Sequence, residues 1–282
     1  MKRNAQMLLS GVLALVFLFS AGKLVRQWQD EKKAQEADRL AQELIAEAKT
    51  EPLPTEPEPV ETEPPETQPT EPATQWIPAP VETPDKNMDT LAQKDLNALR
   101  EINPDVVGWI WIPGTYINYP LMQGTDNDYY LNNTWNNVPS AYGSIFLEHR
   151  NSGDLSDFNT IIYGHNMQNG SMFASLLNYA GAYYFRMFPY VYIATDDGVL
   201  RYEIFSTYKA SVEGMTYQLS FNQQETRETF IAMALENGEY DTGIVPETTD
   251  RIITMSTCVG WGGYDYRRVV HARLAMIEVE TQ

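Results

Sequence analysis

The chain has 282 residues, 43% hydrophobic and 21% charged, and its 20 Lys and Arg against 38 Asp and Glu give a net charge of −18. So acidic a balance excludes a nucleic-acid binder, whose phosphate contacts demand a basic surface. The single cysteine excludes an internal disulfide, so packing alone must hold the fold.

Lys2 and Arg3 precede an almost unbroken apolar run at 7–22. It is short for a spanning helix, which needs about 20 residues, but Leu24 and Val25 extend it and Lys23 can snorkel. Residues 1–26 are therefore expected to be an uncleaved signal anchor in preference to a signal peptide, leaving the rest of the chain outside the cell membrane. Residues 27–50, rich in Ala, Glu, Gln, Lys and Leu, read as a charged juxtamembrane helix, a solvated stalk whose apolar cluster is Leu40, Leu44 and Ile45. Then the composition shifts: residues 51–85 hold eleven of the 17 prolines, nine acids and no Lys or Arg, with T-E-P repeated at 55, 62 and 70. Such a segment has too little to bury, so residues 51–88 are expected to be a disordered Pro/Glu/Thr linker. At about 3.1 Å per residue it would reach on the order of 100 Å, a tether for searching the cell wall.

Residues 89–282 are expected to fold. Asp89 can cap a helix through Leu91, Leu96 and Leu99, which Asn103-Pro104 stops. Next come a hairpin at 106–112 and 116–122, a short helix or turn at 125–131, and strands at 143–148 and 160–163. Met172, Phe173, Leu176 and Leu177 sit at helical spacing, which predicts an amphipathic helix over 171–179. A second hairpin at 190–195 and 199–208 turns on Asp196-Asp197-Gly198, a helix covers 223–236, and two strands close the chain between 251 and 274. Many short strands, few helices and no regular β-α alternation make this a mainly β fold with flanking helices, an antiparallel or mixed barrel.

The last pair of strands carries the chemistry. Cys258 ends R-I-I-T-M-S-T-C on the face of Thr254 and Ser256, opposite Ile253 and Met255. In the partner strand Val270, Ala272 and Leu274 form the apolar face, with Arg267, Val269 and His271 opposite. A thiol and a guanidinium can thus meet on one non-core surface, where a cysteine becomes a nucleophile if a cation or base adjoins it. Arg268 shares the apolar parity, which favours Arg267. Of the three histidines, His165 ends a strand in N-T-I-I-Y-G-H-N-M, a loop position suited to function. His149 reads as a surface residue, and His271 lies four residues beyond Arg267, roughly 13 Å along the strand. No metal-binding cluster is visible; Asp126, Asp128, Asp196 and Asp197 read as helix and turn residues, and no cofactor is expected.

T-x-S-T-C followed by R-x-V-V-x-A, and preceded by Y-G-H-N-M, resembles the sortases. The runs N-P-D-V-V-G-W-I at 103–110, T-D-N-D-Y-Y-L at 125–131, G-S-I-F-L at 143–147 and G-S-M-F at 170–173 resemble class B. The resemblance covers about residue 89 to the C-terminus and implies an eight-stranded barrel with an N-terminal helical extension. It implies a cysteine transpeptidase: Cys258 attacks a C-terminal sorting signal of the Asn-Pro-x-Thr-Asn or Asn-Pro-x-Thr-Gly kind in a secreted protein, His165 moves protons, and Arg267 holds the oxyanion or substrate backbone. A thioacyl enzyme then passes its acyl group to a cell-wall amine of peptidoglycan, or in the alternative to a pilin lysine. Asn127, Leu131, Tyr163 and Ser256 fall on positions the resemblance assigns to the peptide site. Val259 after the cysteine departs from the acidic or polar residue many members carry, and the loop 260–266 is short and glycine-rich. A papain-like peptidase is disfavoured because there the cysteine precedes the histidine and begins a helix. A non-catalytic wall-binding module is the remaining rival.

Overall fold

β-branched and aromatic residues fill the strands, as a pleated, packed surface favours. The computed structural model describes residues 2–47, 85–260 and 265–278, with backbone alone at 2–15, 47 and 278. Its strands are β1 (Val106–Trp111), β2 (Asn118–Met122), β3 (Ile145–Leu147), β4 (Asn159–Tyr163), β5 (Tyr190–Thr195), β6 (Gly198–Ser211), β7 (Ile252–Cys258) and β8 (Tyr266–Glu278). They close into one barrel in the order β1-β2-β3-β4-β7-β8-β6-β5, which leaves no open edge. Two contacts, β2 with β3 and β4 with β7, are parallel, and the others are antiparallel. The expected eight-stranded barrel with flanking helices is therefore the fold.

Strand alternation sorts the side chains into layers. Ile110, Leu121, Ile162, Ile193, Ile253, Met255, Val270 and Ala272 belong to the central cluster. The opposite parity is not solvated, because helices cover it. Trp109, Met122 and Tyr192 meet Met88, Leu91 and Leu99 from α2 (Lys86–Ala92) and α3 (Asn97–Arg100). Phe205, Ile252 and Val269 meet Phe230, Ile231 and Ala234 of α5 (Gln224–Glu236).

Local details differ from expectation at three places. Asp85, not Asp89, caps α2, its carboxylate accepting from Asn87 N at 3.0 Å. Asp85 is buried and also meets Arg201 Nη1 and the Tyr192 hydroxyl, each at 3.1 Å. The folded domain thus begins inside the expected linker. The anticipated helix through Leu91, Leu96 and Leu99 is broken into α2 and α3, with the Asp95 carboxylate accepting from Asn97 N at the restart. The helix expected over 171–179 is a 3-10 helix, Ala174–Ala180, followed by a short α-helix, α4 (Ala182–Met187). Met172 stands at φ 54, a left-handed conformation from which an α-helix cannot start.

The largest difference concerns the N-terminal segment. Residues Lys2–Glu47 form one helix, α1, of 46 residues. Its second half is not a solvated stalk: Ala34, Ala37, Ala41 and Ile45 are buried against the barrel, with Leu40 and Leu44 packed alongside. Trp135 Nε1 donates to the Ala37 carbonyl at 2.8 Å, and Gln42 Nε2 to that of Asn118 at 3.0 Å. Small residues at three- and four-residue spacing let the helix backbone come close enough to be gripped in this way. Among the described residues no helix is long and apolar enough to cross a membrane. Most of the anchor expected at 1–26 lies outside the described side chains, while Val16, Phe17, Leu18, Phe19, Leu24, Val25 and Trp28 are exposed. The linker expected at 51–88 also lies outside the described residues up to position 84. Both flanks of that segment, Ile45 and Asp85, rest on the barrel.

Candidate active site

Register alone assembles the edge of the barrel where the chemistry-bearing residues lie. β7 is flanked by β4 and β8. Cys258 is the direct partner of Arg267 in the β7-β8 ladder. On the other side Tyr163 pairs with Ser256 in parallel register, so two residues further His165 comes level with Cys258. Gly164 N donates to the Ser256 carbonyl at 3.2 Å, and Thr257 Oγ1 donates to the Gly164 carbonyl at 2.8 Å, which carries the alignment past the end of β4. Gly164 is needed at this point: a Cβ would come within 2.5 Å of Ile145 Cδ1 and 2.8 Å of the Phe173 ring. His165, Cys258 and Arg267 therefore come level with one another on three adjoining chain segments, each half-buried.

His165 is fixed further by a contact at 2.8 Å between Nε2 and the carbonyl of Leu131. A carbonyl oxygen only accepts, so Nε2 carries a proton and Nδ1 is the ring nitrogen left to exchange one. The two adjacent arginines are separated as parity requires. Arg268 is buried and paired with Glu239 at 2.7 Å, whereas Arg267 lies beside Cys258, its Nη1 donating to the Tyr266 carbonyl at 3.1 Å. His271 is removed from the contest. It is fully buried between the Phe205, Tyr208 and Phe230 rings, contacting Thr254 Oγ1 at 2.9 Å and the Tyr208 hydroxyl at 3.1 Å, and burial pushes its pKa down to about 3. His149 is partly exposed, 3.1 Å from Glu148.

All four residues expected to line a peptide groove already have polar partners. Ser256 is buried, its hydroxyl 2.9 Å from that of Tyr217. Asn127 Nδ2 donates to Glu148 at 2.6 Å, and the Tyr163 hydroxyl donates to the same carboxylate at 3.1 Å. Leu131 contributes its carbonyl to His165. Sequence reasoning missed two residues here. Tyr217, on the 3-10 turn Met215–Tyr217, is close enough to Cys258 and Arg267 to feel both; burial raises its pKa, the Ser256 contact and Arg267 oppose that, and Cys258 adds to it. Nothing in its local sequence marks it. Glu148 had one signal, an acid directly after an apolar strand and before His and Arg. Among the described residues no group of three His, Cys, Asp or Glu could hold a metal ion. The loop 261–264, between Cys258 and Arg267, lies outside the described residues.

A closed mixed barrel with a thiol, an imidazole and a guanidinium on neighbouring strand ends defines a cysteine-dependent acyl-transfer enzyme. Residues 110–275 match the sortase domain family, and the chain belongs to it. Sortase B of Listeria monocytogenes is 35% identical over 186 residues, covering 65% of this chain and 75% of that protein. The structure of a Staphylococcus aureus sortase B-substrate complex superposes with a TM-score of 0.62 at 29% identity, over 65% of this chain and 85% of the other. That of Clostridium perfringens sortase B gives 0.60 at 32% identity, over 64% and 100%. This is a class B sortase, a cysteine transpeptidase.

Proposed function

We propose that Cys258 is the nucleophile, His165 the proton-transfer residue and Arg267 the oxyanion or backbone-holding residue of a transpeptidation that passes through a thioacyl enzyme. What supports the reading is strand register: Cys258 pairs with Arg267, and Ser256 with Tyr163, two residues before His165. The sulfur, as thiolate, adds to the carbonyl carbon of the sorting signal, and negative charge gathers on the carbonyl oxygen. A guanidinium beside the sulfur supplies fixed donors for that charge, the kind of preorganised electrostatics that matters most at the transition state. The carbon-nitrogen bond breaks as the imidazolium of His165 gives its proton to the departing amine. An incoming amine then loses a proton to the imidazole, attacks the thioester and expels the sulfur. With Nε2 held by the Leu131 carbonyl, both transfers run through Nδ1.

The substrate proposed is an Asn-Pro-x-Thr-Asn or Asn-Pro-x-Thr-Gly type signal on a secreted protein, with an amine of peptidoglycan or its precursor as acceptor. The apolar run at 7–22, behind Lys2 and Arg3, is proposed to enter the membrane and leave the barrel on the wall side. Mass spectrometry of products from a sorting-signal pentapeptide library with candidate wall amines tests the reaction. A peptide-amine adduct is expected from the native chain, with a thioacyl mass increment on Cys258. Cys258→Ala should lose both completely, and turnover by that variant would overturn the assignment.

A further inference from the structure

Glu148 follows β3 directly, and its backbone N donates to the Ile161 carbonyl at 2.9 Å. The residue is 1% exposed, yet it is surrounded by donors. Its carboxylate accepts from Asn127 Nδ2 at 2.6 Å, Arg150 Nε at 2.6 Å and the Tyr163 hydroxyl at 3.1 Å, and it stands 3.1 Å from His149 Nδ1. Burial by itself would raise this carboxyl, but the hydrogen bonds from Arg150, Asn127 and Tyr163 outweigh it and hold the group below the usual range. It is therefore an ionised acid at the centre of a satisfied polar network, which rigidifies what it touches.

What it touches leads to His165 by two separate routes. Tyr163 lies two residues before His165, on the strand that delivers the imidazole to the level of Cys258. Asn127 begins the segment that runs through the 3-10 turn Tyr129–Leu131 to the carbonyl that holds His165 Nε2. Asn127 is also clamped from its other end, its Oδ1 accepting from His149 N at 3.0 Å.

We infer that Glu148 is a positioning residue for His165: by holding Tyr163 and Asn127 together it fixes the strand end that carries the imidazole and the carbonyl that sets its tautomer. Asn127 and Tyr163 then serve the histidine before they serve the peptide, since their polar atoms are already committed to Glu148. The inference rests on the proposed role of His165, and its tests separate the two.

The decisive experiment is Glu148→Gln, with Tyr163→Phe as a second variant that removes a single hydroxyl and keeps the buried acid, each first shown by thermal melting to be folded. Steady-state kinetics with peptide and amine should show kcat down by about 10- to 100-fold with KM within a few-fold, as expected for a displaced proton-transfer group. The pH profile of turnover should move in both variants, and Glu148→Asp should restore part of the loss. Nitrogen-15 NMR of labelled histidine should show the Nε2-H tautomer of His165 dominant in the native chain and mixed in Glu148→Gln. A rise in KM with kcat intact would overturn the inference, since Asn127 and Tyr163 would then be reading the peptide. So would unchanged kinetics and tautomer in a folded variant. If Glu148→Gln does not fold, Tyr163→Phe decides by the same measures. If the native chain shows no turnover, the role of His165 fails, while the tautomer still reports whether Glu148 holds its ring.

Discussion

Glu148 and Asp38 are both acids sheltered by the barrel, and their surroundings treat them in opposite ways. Around Glu148, the side chains of Arg150, Asn127 and Tyr163 supply donors that overcome burial and keep the carboxyl low. Asp38, in the docked half of α1, meets only burial, which pushes its pKa up to about 7. The Tyr119 hydroxyl packed near it is pushed to about 12, first by burial and then by Asp38 itself. The pocket under the site is thus built to hold a charge in one place, and the seam under the helix tolerates one poorly. The first arrangement suits a region that must not move; the second makes the α1 contact the softer joint of the molecule.

The largest break in that contrast is Glu148→Ala. Removing the acid leaves the Asn127 amide, the Tyr163 hydroxyl and the Arg150 guanidinium facing an emptied pocket. Breaking such a buried charged network typically costs on the order of 3–5 kcal/mol. Denaturant unfolding should show that loss at neutral pH. Because the folded value of Glu148 is depressed, its contribution is present above the ordinary carboxyl range near 4.5 and fades as pH falls through the folded value. The gap in stability between the native chain and Glu148→Ala should therefore narrow in acid.

Asp38→Asn should act with the opposite sign and a smaller size. Between the model-peptide value of 3.8 and about 7 the docked helix binds a proton that the undocked chain does not, so docking weakens as pH rises through that window and levels off above it. Replacing the acid with its neutral isostere removes the penalty, a gain on the order of 1–3 kcal/mol at pH 8. Hydrogen exchange across residues 34–45 measures it directly. Protection there should rise between pH 8 and pH 5 in the native chain once intrinsic rates are corrected, and stay flat in Asp38→Asn; a native profile without that slope would mean that Asp38 reaches water freely.

The same contrast explains what could be read from the chain itself. Alternation in β7 and β8 was legible because a strand has a period of two: it separates Arg267 from Arg268, and the structure gives Arg268 its own partner in Glu239. Spacing along β8 likewise set His271 apart from the site, and it lies in the core. Closure of the barrel was legible only as a class, since the parallel contact of β4 with β7 joins residues about ninety positions apart with no local mark. The docked face of α1 was not legible, because its buried residues are mostly alanines, Ala34, Ala37 and Ala41, which look like helix filler and contact the barrel through their smallness. Glu148 was read only as the neighbour of His149, since a buried acid is identifiable by its donors, and these come from Asn127 and Tyr163 on other segments.

The finest test of the two regions is Trp135→Phe. The indole is buried in the cluster beneath α1, and its Nε1 donates to the Ala37 carbonyl at 2.8 Å. Phenylalanine keeps much of the ring contact and removes the donor, so no buried polar hydrogen is stranded, and the carbonyl remains within the helical ladder of α1. The expected cost is about 1 kcal/mol, or roughly fivefold faster exchange across residues 34–45. Exchange within β4 and β7, and turnover of peptide with amine, should stay as they were. If the barrel strands loosen together with the helix, the seam and the site form one cooperative unit, and the softness assigned to Asp38 would be felt at Cys258 as well.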